Sequence, residues 1–184
     1  LLSKETWNSP CQKIFESDSQ YENLLNRFFV ETNCNLDLPS QKVYILTSGE
    51  TVSASEYTIA CLKAFMDVEL VGTKTYGKYV TMYAFSSQYE ENGKLVADKE
   101  LANWLIFPVC SRFTNIDGYP NSLEGMTPQH EVKEDLFNGI QLGDENEPLL
   151  AEALALISGT RRMQVKGKSI ETSPVFNMLP KAFN

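Results

Sequence analysis

Ser53 and Lys78 are the side chains whose types and setting could do covalent chemistry. A serine hydroxyl attacks a carbonyl only when a base takes its proton. A lysine amine can be that base only when uncharged, a state that burial favours. Ser53 opens a helical stretch read from Ala54 to Met66. Its oxygen would sit at the positive end of the helix, where free amides stabilise a developing anion. Tyr76, Tyr79 and Val80 would give Lys78 apolar walls. A second reading needs no chemistry. Ser53-Ala54-Ser55-Glu56 fits a capping box, in which the serine oxygen accepts the Glu56 amide and the carboxylate reaches back to the Ser53 amide. Spacing alone favours capping, because such boxes are common in ordinary helices.

The surrounding elements would have to bring these residues together. Val43–Leu46 is a short β-branched and aromatic run ending in Thr47-Ser48-Gly49, which reads as a buried strand entering a turn. Val68–Val71, closed by Gly72, reads as a second strand, and Tyr76-Gly77-Lys78 follows it. Strand, turn, helix and strand make a β-α-β unit with polar chemistry at both corners.

Over 43–132 the chain resembles the S41 peptidases, the C-terminal processing or tail-specific serine proteases. The resemblance rests on Ser53-Ala54-Ser55-Glu56 after an apolar strand and on Gly72-Thr73-Lys74-Thr75-Tyr76-Gly77-Lys78. It extends to Asn115-Ile116-Asp117-Gly118 and to Gly125-Met126-Thr127-Pro128. The family interval between nucleophile and general base is 25 positions, the interval from Ser53 to Lys78. The resemblance implies catalytic Ser53 and Lys78, an oxyanion donor in the Ala54 amide and a supporting role for Glu56. It implies an α/β fold with a ClpP/crotonase-like core, of which this chain would be the C-terminal portion. It further implies a polypeptide substrate, no metal, no cofactor, and an extracytoplasmic (periplasmic or cell-envelope) location.

Rival residues are weaker candidates. Ser55 falls off the family interval, and a helical step turns it away from Ser53. Lys74 lies four positions before Lys78 and reads as an exposed turn lysine. His130 is the single histidine and reads as a surface residue in a Gly/Pro loop. The sequence also departs from the family pattern. Gln129 stands where the family has Asp after Gly-x-x-Pro. Met82 stands where many members carry a Gln that orients the lysine, and a thioether is only a weak acceptor. Thr81 is expected on the opposite strand face, which leaves a bare dyad or a substitute such as Tyr83 or Glu56. No Gly-Gly turn, the family's source of a second oxyanion amide, precedes Val43. A PDZ-like module or partner chain upstream is expected for the same reason.

Bulk properties narrow the function classes. A chain of 184 residues with 42% apolar content can bury one core. A net charge of −8 with no clustered basic face argues against nucleic acid as a partner. No apolar run is long enough for a membrane span, so no integral membrane segment is expected. Leu1-Leu2-Ser3 lacks the features of a signal peptide, and the chain reads as a mature protein or an excised piece. Cys61 and Cys110 read as buried thiols, whereas Cys11 and Cys34 flank loops and would be the pair joined in an oxidising compartment.

The domain reading is one S41-like catalytic portion over 1–184, with a polar N-terminal segment over 1–20 and an extension over 160–184. Trp7 and Phe15 are expected to anchor the first segment. Apolar spacing predicts a helix over Tyr21–Val30. Tyr79–Ser87 reads as a strand, and Asn92-Gly93 as a hairpin turn. Trp104–Phe113 reads as a strand broken at Pro108, near an edge or bulge. Residues 114–130 read as loop, and Pro148–Ile157 as a helix stopped at Gly159. The expected activity is serine endopeptidase, cleaving near protein C-termini or in unfolded segments. The alternative is a peptide-binding protein of the same fold, or an inactive fragment of a longer protease. A crotonase-type acyl-CoA enzyme would need a basic groove, which the acidic charge disfavours.

Overall fold

A computed structural model describes residues 1–33, 42–119, 123–135, 137 and 139–160. Its elements in chain order are β1 (Ser3–Trp7), α1 (Ser9–Glu16), a 3-10 turn (Ser19–Tyr21), α2 (Glu22–Leu25), β2 (Asn26–Arg27), β3 (Lys42–Thr47), α3 (Ala54–Leu62) and β4 (Asp67–Gly72). There follow β5 (Val80–Met82), β6 (Phe85–Ser86), β7 (Gln88–Glu91), β8 (Lys94–Ala97), β9 (Leu105–Ile106), β10 (Val109–Asn115), β11 (His130–Glu131) and α4 (Pro148–Ser158). The class is mixed α/β, as the sequence implies.

Two sheets carry the fold. One is parallel, ordered β11-β4-β3, and pairs Lys42 with Asp67 through Thr47 with Gly72. The other is antiparallel, ordered β2-β1-β10-β5. Helix α3 packs against β4 of the first sheet and β10 of the second. Ile59 and Ala60 of α3, with Val68, Leu70 and Met126, form the buried apolar cluster. The Asn115 side-chain amide fastens the sheets further by donating to the Ala60 carbonyl at 2.9 Å. The two-stranded pairs β6-β9 and β7-β8 project from this body, with Leu95, Trp104 and Ile106 largely exposed. No helix among the described residues is long and apolar enough to cross a membrane.

The β-α-β unit, the β7-β8 hairpin and α4 follow the sequence reading. Asn92 and Gly93 both take positive φ at the hairpin turn. Pro148 lies in the first turn of α4, and Gly159 ends it in the left-handed conformation. Cys61 and Cys110 are buried. Cys34 lies outside the described residues, as does the tail from position 161. Trp7 anchors the N-terminal segment through rings of Phe15 and Tyr83, each at 5.0 Å.

Other readings are corrected. The expected helix over Tyr21–Val30 stops at Leu25, because Asn26 turns extended (φ −127°, ψ 136°) and enters the second sheet beside Lys4. Tertiary pairing overrides local spacing there. Helix α3 ends four residues before Met66, where turns at Lys63–Met66 let Asp67 start β4 in register with Lys42. The polar N-terminal segment contains β1, paired along its length with β10. The 79–87 strand is split into β5 and β6. Strand β10 runs on to Asn115 and lies inside its sheet rather than at an edge, while the expected bulge near Pro108 is present between Val109 and Ser111. His130 is not a surface loop residue. It is half-buried on β11, and its Nε2 lies 2.6 Å from a Glu69 carboxylate that also holds Lys42.

Candidate functional site

Glu56 ties the two chemical positions together. It lies in the first turn of α3, and its carboxylate is fully buried at 0% exposure. Oε1 accepts the Thr75 hydroxyl at 2.6 Å and the Gly77 amide at 2.7 Å. Oε2 accepts the Ser53 and Lys78 amides, both at 2.9 Å. Those two nitrogens therefore lie within twice that distance of each other. The turn at 75–78 is locked from its other side as well. Thr75 Oγ1 accepts the Met126 amide at 2.7 Å, and the Thr75 amide donates to the Met126 carbonyl at 3.1 Å. A Cβ on Gly77 would lie 2.6 Å from the Gly125 nitrogen and collide with the Leu123 carbonyl. The two glycine-containing runs thus pack backbone to backbone behind Lys78.

Ser53 has a backbone that capping does not require. An N-cap residue normally takes an extended conformation. Ser53 takes φ 57° and ψ −109°, a region that L-residues rarely enter. Its hydroxyl faces the Glu56 amide in the capping-box arrangement but makes no cap hydrogen bond of ordinary geometry. Only the Glu56 half of the box is a full hydrogen bond. The Ala54 amide donates to nothing among the described residues. The Lys78 amine has no ion-pair partner there either.

Ser53, Ala54 and Lys78 line one cavity of about 550 Å³. Tyr57, one helical turn past Ser53, joins them, and its hydroxyl lies 2.5 Å from Ser3 Oγ. Burial pushes the Tyr57 phenol above its ordinary range, so it stays neutral. Apolar walls come from Phe113, which meets the Tyr57 ring edge-on at 4.5 Å, and from Phe28, Val80 and Met82. Glu5 and Arg27, paired at 2.9 Å, add a charged pair to the same lining. Ser55 and Lys74 are exposed and outside the cavity lining. His130 is also outside it.

The substitutes for a lysine-orienting glutamine fare unequally. Glu56 holds the Lys78 backbone rather than its amine. The Tyr83 hydroxyl donates instead to Glu5 Oε1 at 3.4 Å. Thr81 lines the cavity together with Met82 rather than lying wholly behind it. Tyr57, Thr75, Glu5 and Arg27 are the residues that sequence reasoning passed over. Thr75 and Tyr57 carried a signal, one inside the glycine-lysine run and the other four positions after Ser53. Glu5 and Arg27 carried none, since strand pairing alone brings them near. Among the described residues, no group of three or more His, Cys, Asp or Glu is arranged to hold a metal ion.

No protein-family model and no curated protein matches the sequence. Solved structures do match. One is a candidate S41 protease from Bacteroides fragilis NCTC 9343, 30% identical over 66% of this chain, with a TM-score of 0.53. This chain spans 29% of that protein's length. Another is a photosystem II D1 C-terminal processing protease, 19% identical over 49% of this chain and 20% of its own. Its TM-score of 0.36 is too low to argue from. Identity and backbone likeness to the Bacteroides protein, on top of the shared motifs, make this chain a relative of the S41-family peptidases.

Proposed function

We propose that the chain carries the catalytic residues of a serine-type peptidase, with Ser53 as nucleophile and Lys78 as general base. The observation that carries this reading is the Glu56 carboxylate. One of its oxygens holds the amides of both residues, and both residues line one cavity. Uncharged Lys78 takes the proton from Ser53 Oγ as Oγ bonds to the scissile carbonyl carbon. The carbonyl electron pair moves onto oxygen, which the Ala54 amide and the α3 N-terminus stabilise. Collapse breaks the C–N bond, and Lys78 returns the proton to the leaving amine. Water, deprotonated by Lys78, then releases the acyl group and restores Ser53. Glu56 acts as a positioning residue. The strained Ser53 backbone fits this role, because rare φ/ψ values collect at positions that present a nucleophile.

The polypeptide substrate, cleaved near a C-terminus or in an unfolded segment, belongs to this proposal. So do the ClpP/crotonase-like core, an upstream PDZ-like module and an extracytoplasmic site of action, all drawn from the family resemblance. Met82 on the cavity wall favours a second reading, a peptide-binding protein without turnover. A fluorophosphonate probe separates the two. Covalent labelling of the wild type, lost in Ser53→Ala and reduced in Lys78→Ala, is the expected result. A folded wild type that stays unlabelled, yet binds peptide, would overturn the peptidase reading.

A further inference from the structure

Gln129 and His130 have no part in the chemistry just described, yet they fasten the segment that backs Lys78. Gly125 and Met126 meet the 75–78 turn at Thr75, and the same segment runs on into β11. Strand β11 is only two residues long, so its ladder with β4 offers few backbone bonds. Side chains reinforce it. Gln129 Oε1 accepts the Leu70 amide at 2.8 Å. His130 Nε2 lies 2.6 Å from Glu69 Oε2. A carboxylate only accepts, so Nε2 carries the hydrogen in that bond. The other Glu69 oxygen is held by Lys42, which also reaches Asp67 at 3.3 Å. One carboxylate on β4 therefore joins β11 on one side to β3 on the other. Beyond β11, the Val132 amide donates to the Gly72 carbonyl at 2.9 Å.

We infer that His130 is a positioning residue for Lys78, acting through Glu69 and the 125–132 segment. This rests on the peptidase reading of Ser53 and Lys78. His130 lies outside the cavity lining, so its effect is indirect. Its bond to Glu69 keeps β11 on the edge of β4 opposite β3. Strand β11 in turn fixes where Gly125 and Met126 meet Thr75. That contact sets the turn from which the Lys78 amine projects. A base misplaced by about 1 Å can cost on the order of a hundredfold in rate. The Met126 side chain, 3% exposed in the apolar cluster, also holds the segment. Loss of the His130 bond alone therefore moves the turn less, and the expected cost is about three- to tenfold.

The test follows fluorophosphonate labelling of Ser53 over a range of probe concentrations, which separates probe binding from the covalent step. His130→Phe should lower the maximal labelling rate about three- to tenfold and leave the half-saturating concentration unchanged. His130→Gln, whose side-chain amide can still donate to Glu69, should keep most of the rate. In the Lys78→Ala background His130→Phe should change nothing further, because a residue that works through Lys78 has no effect once the amine is gone. Peptide-resolved hydrogen exchange should show the 73–80 backbone opening about three- to tenfold faster in His130→Phe, with α3 unchanged. An unaltered rate in folded His130→Phe would overturn the inference. So would an equal drop with and without Lys78, or equal acceleration of exchange in α3, since either marks a general loss of stability. His130→Gln behaving no better than His130→Phe counts against it too. Wild-type labelling that His130→Phe leaves intact sinks the His130 role alone, and absent wild-type labelling sinks the peptidase reading itself.

Discussion

Replacing Glu56 by glutamine tests the site's architecture directly. The two side chains have nearly the same shape, but glutamine keeps one acceptor oxygen and puts an NH₂ group in place of the other. In the wild type each carboxylate oxygen serves two donors, Thr75 and Gly77 on one side, Ser53 and Lys78 on the other. Whichever way the amide turns, two donors meet another donor in a site with 0% exposure. A buried polar group left without a partner costs about 1–3 kcal/mol. Two of them give a loss of about 2–4 kcal/mol, allowing for partial relaxation. That is a large share of the roughly 5–15 kcal/mol available to an ordinary domain. Denaturant unfolding followed by tryptophan fluorescence, with both variants fitted to a common slope, would give the value. Fluorophosphonate labelling of folded Glu56→Gln should fall as well, because the Lys78 turn is no longer held. A variant within about 0.5 kcal/mol of wild type, the range of ordinary surface changes, would refute the claim that this carboxylate organises the site.

Three further outcomes are expected. Gly77→Ala and Gly125→Ala should each cost more than about 2 kcal/mol in chemical unfolding, because their Cβ atoms would meet the backbones of Leu123 and Thr75. Gly118→Ala has open space and should cost only about 1 kcal/mol for its positive φ. Ser53→Gly should abolish probe labelling yet raise the unfolding free energy by about 1 kcal/mol, since glycine relieves the φ of 57° and caps nearly as well. A drop in stability would count against strain at that position. The Glu69 carboxyl is held below its ordinary range, first by its hydrogen bond from Lys42 and next by that from His130. A depressed carboxylate contributes stability above its unfolded pKa and loses it as pH falls through the lower folded value. Thermal midpoints of Glu69→Gln should therefore fall less steeply than those of wild type as pH drops below the ordinary carboxylate range. Added salt should shrink the difference, because the Glu69 side chain is still partly open to solvent.

Sequence reasoning succeeded where structure is local. Strand, helix and strand over 43–72 are set by short apolar runs and by Ser53 and Gly72 at their ends. The Asn92-Gly93 turn and the helix between Pro148 and Gly159 carry their own start and stop residues. It failed where an element exists only through a distant partner. Ser3–Trp7 is a strand because Val109–Asn115 lies beside it, and nothing within the first twenty residues says so. Leu24, Leu25, Phe28 and Phe29 follow helical spacing, but the pull of β1 on Asn26 breaks the helix between them. The same limit applied at the site. Glu56 was legible as a capping residue, while its bonds to Gly77 and Lys78 depend on a turn that closes only in three dimensions.

Ser53 follows the parallel sheet, and Lys78 leads into the antiparallel one. The proposed dyad therefore straddles a seam, stitched by the Glu56 carboxylate and by the bond from Asn115 to Ala60. Neither half of the molecule owns a complete site. A slight shear between the two layers would separate the Ser53 and Lys78 amides that Glu56 holds while leaving every strand intact. Reactivity should thus report on how the halves are docked, and it should fade before any loss of secondary structure is measurable.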